Sequence, residues 1–181
     1  MNKKRLTAIM MVSAMVLALM GCGNGSAGEG ETVAEITQAD PSFEYNGKTV
    51  SFTDDPQTVV DAIKSVAELV DETENAEGDG KSYGFDKTVN GPGLMIVTSV
   101  DGGTESIGSM VVNGEGFKTS KGIGVGSKVA DVTAAYGDPS EKNKLSTEEV
   151  YAYKCDGFGF SFSIKDGQVY SILYSSSNYH G

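Results

Sequence analysis

Chemistry in this chain would have to come from two thiols, Cys22 and Cys155, one imidazole, His180, and pairs of carboxylates. A cysteine nucleophile needs a base beside it, and the sole histidine stands next to the last residue, where chain ends fray. Cys155 therefore reads as a small apolar residue at the end of a strand. Serine hydrolysis lacks the same base, and no Ser-x-x-Lys pair occurs. The run Gly122-Ile123-Gly124-Val125-Gly126-Ser127-Lys128 invites a phosphate-loop reading. It places serine before lysine, the reverse of Walker A, and Ser127 where a dinucleotide fingerprint needs its last glycine. The acidic stretch 71–80 lacks the sixth-position glycine and twelfth-position glutamate of an EF-hand, since Ala76 and Ser82 stand there. Acid pairs such as Asp54/Asp55 and Glu148/Glu149 fit caps and solvated edges better than a glycosidase cleft, which would want aromatic platforms in a chain with no Trp. With so few Cys and His, no metal or other cofactor is expected, and the expectation is a non-enzymatic protein.

The one thiol whose surroundings single it out is Cys22. Lys3, Lys4 and Arg5 precede an apolar run from Leu6 to Met20, which suits a signal-peptide core and is too short to cross a bilayer as a helix. Leu19-Met20-Gly21-Cys22 resembles the lipobox of bacterial lipoproteins. That resemblance implies cleavage after Gly21 and a diacylglycerol on the Cys22 sulfur, the two acyl chains that stable anchoring needs. The expected localisation is extracytoplasmic, lipid-anchored in the cell membrane or the outer membrane, with the membrane itself as a partner. Residues 1–21 are then the signal peptide, and the Gly-rich, acidic residues 22–40 a flexible tether.

Cleavage would remove every cation of the N-terminal head and no acid. It would leave 160 residues with 11 lysines, no arginine, 25 acids and a formal charge of −14. A surface of that sign repels nucleic acid and anionic headgroups, so nucleic-acid binding is excluded as a function.

Two helices and a series of strands must position whatever remains. Asp55 and Pro56 mark a helix start, and Val59, Ile63, Val66 and Val70 form one stripe that carries the helix to Val70. Ser127 reads as the cap of a second helix, which Gly137 stops and Pro139 keeps from resuming. After the first helix come three strand signals, at 83–89, 94–100 and 107–112. After the second come three more, at 149–155, 158–164 and 168–175, separated by Asp156-Gly157 and Asp166-Gly167 hairpin turns. The segments 71–80 and 140–147 read as polar loops. The expected fold class is α+β: two helix-plus-three-strand antiparallel repeats, 41–116 and 117–181, with both helices packed on one side of the sheet.

The Gly122-Ile123-Gly124-Val125-Gly126-Ser127 helix start, Asp131-Val132 and the Tyr136-Gly137-Asp138-Pro139 stop resemble a pattern in the SmpA/OmlA outer-membrane lipoproteins and the tandem-repeat β-lactamase inhibitor protein. The resemblance covers 118–175. It implies a protein-binding role and transfers no catalytic residue.

For such a role the candidate surface is a set of alternating residues on the last strands: Tyr151, Tyr153, Tyr170 and Tyr174, beside Ser161 and Ser163. Period-2 spacing allows those tyrosines either to pack in the core or to form a flat contact stripe. The leading expectation is an extracytoplasmic protein- or envelope-binding module. A small-ligand carrier or transporter-associated lipoprotein is the alternative, and a hydrolase the least favoured.

Overall fold

In the computed structural model the described residues are 41–75 and 79–176. The segments expected to be a signal peptide and tether, with the expected lipidation site Cys22, His180 and part of the acidic stretch, lie outside them. Strand order follows from turns that the residue types dictate. Asn46-Gly47 joins β1 (Ser42–Tyr45) to β2 (Lys48–Ser51). Both turn residues have positive φ, at 48° and 83°, the geometry that matches a hairpin's twist and that Asn-Gly tolerates best. Helix α1 (Pro56–Lys64) follows, with the Asp55 carboxylate accepting from the Thr58 amide at 2.9 Å.

Next comes an antiparallel meander of β3 (Leu69–Glu74), β4 (Lys81–Thr88), β5 (Gly91–Asp101) and β6 (Thr104–Val112). A short β7 (Phe117–Thr119) returns to pair with β1. Helix α2 (Val129–Tyr136) leads into a second meander of β8 (Glu141–Leu145), β9 (Glu148–Lys154), β10 (Phe158–Lys165) and β11 (Gln168–Ser176). The two meanders join where β6 pairs with β11, Val112 opposite Ile172. The result is an eight-stranded sheet in the order β3-β4-β5-β6-β11-β10-β9-β8 and a three-stranded sheet, β2-β1-β7.

This corrects the expected fold class. The described chain is mostly β, 56% strand and 13% helix, in two antiparallel sheets, and not an α+β pair of helix-plus-three-strand repeats. The physical reason lies in polar or short segments that pair into sheet. β3 and β8 take up the ends of the large sheet where loops were expected. β1, β2 and β7 make a second sheet that draws on both expected repeats. α1 also stops at Lys64 rather than Val70, and Val66 and Val70 are 37% and 38% exposed. Ser127 does not cap α2. Its hydroxyl accepts from the Gly124 amide at 3.0 Å, while Asp131 accepts from the Lys128 amide at 3.3 Å.

The core fills the space between the small sheet, the helices and one face of the large sheet. Val59, Val60 and Ile63 of α1 and Val132 and Tyr136 of α2 are buried. Phe43 stacks on Phe117 across the small sheet at 5.2 Å, and Phe117 meets Tyr174 of the large one at 6.1 Å. Tyr136 sits 4.9 Å from Phe160, edge to face, which fastens α2 to β10.

Candidate binding face

A strand exposes alternate side chains to opposite faces, so covering one face of the large sheet leaves the other to solvent. Registers place the four tyrosines. Tyr151 is opposite Phe162, and Tyr153 opposite Phe160, itself opposite Tyr174. All of these side chains are buried. Tyr151, Tyr153 and Tyr174 are thus core residues, and only Tyr170, 38% exposed, reaches the outside. Ser161 and Ser163 alternate with the buried phenylalanines and point to the open face. The structure therefore does not bring the expected tyrosine stripe together with the serines. A bulge between Ser163 and Ile164 is what turns Tyr170 out, towards Ser163.

The open face itself is continuous. Paired registers run Gly84, Met95, Val111, Leu173, Ser161 and Ala152 across six adjacent strands. A second row runs Ser82, Val97, Ser109, Ser175 and Gly159. Leu173, near the centre, is 40% exposed. Neither row carries a charged side chain between its ends, although charged residues make up 22% of the sequence. Charges return only at the borders: Asp71 opposite Gly84, Glu141 opposite Ala152, Lys154 opposite Gly159. The surface is about 24 Å wide from the first strand to the sixth at about 4.8 Å per step, and made of small polar and medium apolar groups.

Polar clusters flank the sheet, one on this face and one on the core side of the β8–β9 edge. The Tyr170 hydroxyl donates to Glu148 at 2.5 Å, and that bond raises the tyrosine's pKa. Around the β8–β9 border Lys142 donates to the Tyr151 hydroxyl at 2.6 Å, and Tyr151 donates to Glu149 at 3.3 Å. The same lysine ion-pairs with Glu149 at 3.2 Å. Those contacts push the Lys142 pKa up and the Glu149 pKa down, chiefly through their hydrogen bonds, so both stay charged. A cleft of about 340 Å³ opens beside them, lined among others by Val129, Lys144, Glu148, Ile164 and Asp166. Such a lining mixes charged side chains with the apolar Val129 and Ile164.

One spelling escaped the sequence reading. Gly80-Lys81-Ser82-Tyr83-Gly84 has the Gly-x-Ser-x-Gly form of a nucleophile elbow. That motif needs a sharp strand-to-helix turn, whereas Ser82 lies inside β4 with its hydroxyl donating to the side-chain Oδ1 of Asn75 at 3.5 Å. Cys155 is half-buried and packs against the core. Among the described residues no group of three or more His, Cys, Asp or Glu side chains gathers as a metal site. No helix among them is long and apolar enough to cross a membrane. Comparison with known proteins finds no matching family model, no matching curated protein and no matching solved structure.

Proposed function

We propose that this chain is an extracytoplasmic lipoprotein, anchored through diacylglycerol on Cys22, that binds a protein partner on the open face of its eight-stranded sheet and catalyses no reaction. The observation that supports it is the absence of charge from the two central rows of that face, in a mature chain of formal charge −14. Interface centres are depleted in charge while ordinary surface is not. The acid-rich surface around the face suits a partner whose flat apolar patch is rimmed by basic side chains. The resemblance of residues 118–175 to SmpA/OmlA lipoproteins points the same way.

The test is photo-crosslinking in intact cells. A crosslinking side chain at Leu173 is expected to capture a protein partner, and one at Lys48 of β2 is expected not to. Adducts from Lys48 alone, or none from Leu173, would overturn the face. A Cys22→Ser chain is expected to leave the membrane fraction, and its normal retention there would overturn the anchor.

A further inference from the structure

The large sheet ends in two strands, β3 and β8, whose outer backbone edges are unpaired among the described strands. β8 is exposed throughout, and β3 is exposed after Leu69. Open edges invite pairing, and proteins normally block it with charge. Here the two edges carry opposite charge on the same face. On β3 the side chains beside the core face are Glu72, opposite buried Tyr83, and Glu74, opposite Lys81. On β8 they are Lys142, opposite buried Tyr151, and Lys144, opposite Glu149. Like charge opposes pairing of β3 with β3 or β8 with β8, whereas β3 against β8 is attractive.

Direction agrees as well. Every neighbour in the sheet is antiparallel and the strands number eight, so β3 and β8 run in opposite directions. A second copy set beside the first with its core face on the same side therefore presents β3 antiparallel to β8. One register then places Lys144 opposite Glu72, Lys142 opposite Glu74, and Asn143 opposite Thr73.

We infer that the chain self-associates head to tail, β8 of one copy pairing with β3 of the next, into an open-ended row of sheets. The contact is heterologous, so a translation that does not close gives chains of copies rather than a dimer. This uses the strand edges and leaves the open face free, so it stands apart from the binding reading above.

Sedimentation of the purified full chain over a concentration series tests it. The expected result is a mean size that keeps growing past the dimer and falls as salt screens the edge charges. The double variants Lys142→Glu/Lys144→Glu and Glu72→Lys/Glu74→Lys are each expected to weaken association about tenfold or more. Their equimolar mixture is expected to restore it, because the acidic β8 of one then faces the basic β3 of the other. Should either double variant unfold in a melting experiment, Lys144→Glu and Glu74→Lys alone, which spare the Lys142–Glu149 and Lys64–Glu72 pairs, are expected to act in the same direction. A monomer at every concentration, a plateau at the dimer, indifference to these charges, or a mixture that stays dissociated would each overturn the inference.

Discussion

Asp86 holds a left-handed backbone, φ 50°, that side chains rarely adopt, and its carboxylate explains why the position is worth the strain. It accepts from the Tyr45 hydroxyl at 2.8 Å, the Asn46 amide group at 3.2 Å and the Glu68 backbone amide at 2.9 Å. One carboxylate thus fastens the β1–β2 turn to β4 and to the start of β3. Removing it leaves the buried Tyr45 hydroxyl and a main-chain amide without their acceptor. Asp86→Ala is expected to cost about 3 kcal/mol in urea unfolding. Asp86→Asn, which tolerates the same φ and keeps one acceptor oxygen, is expected to cost about 1 kcal/mol. Equal losses for the two would show that the charge and second oxygen of the carboxylate, which both variants lack, govern the site, and that tolerance of this φ adds nothing.

At the scale of the element, α1 shows how a pattern misleads. Val66 and Val70 continue the spacing of Val59 and Ile63, yet the chain leaves the helix after Lys64 and re-enters as β3. Ile63→Ala is expected to lose about 2–5 kcal/mol from a fully buried position, while Val66→Ala and Val70→Ala should stay within about 0.5 kcal/mol; denaturation midpoints check both. The elements legible beforehand were those with chemistry in their own residues: the Asp55-Pro56 start, the Gly137 stop, the Asp-Gly hairpins, and the alternation from Phe158 to Ile164. Those missed, β3 and β8, read as loops because DETE and EKNKL look solvated. They are solvated, as edge strands, and only their neighbours make them strands. The candidate surface divided the same way. The spacing of Ser161 and Ser163 disclosed an alternating strand, but which tyrosines the core would claim depended on where α2 and the small sheet landed.

For the whole molecule, the buried phenols set its behaviour in alkali. Burial pushes the Tyr153 pKa from its ordinary 10.0 up to about 12. Burial also raises Tyr136, and Tyr45 is raised by burial and by Asp86. A group with a higher pKa in the folded chain stabilises it fully below the unfolded value and loses that contribution as pH climbs to the folded one. Stability is therefore expected to fall between about pH 10 and 12, with the absorbance of tyrosinate rising in step with loss of circular dichroism. Independent titration of all tyrosines before any unfolding would contradict this packing. The seam between β6 and β11 has a kinetic side too. Val112 waits for Ile172, sixty positions later in synthesis, before its strand is sandwiched. A nascent chain halted or cleaved before Gln168 would carry Met110 and Val112 on a strand with one flank vacant, so incomplete synthesis leaves a sticky fragment where the finished protein has its centre line.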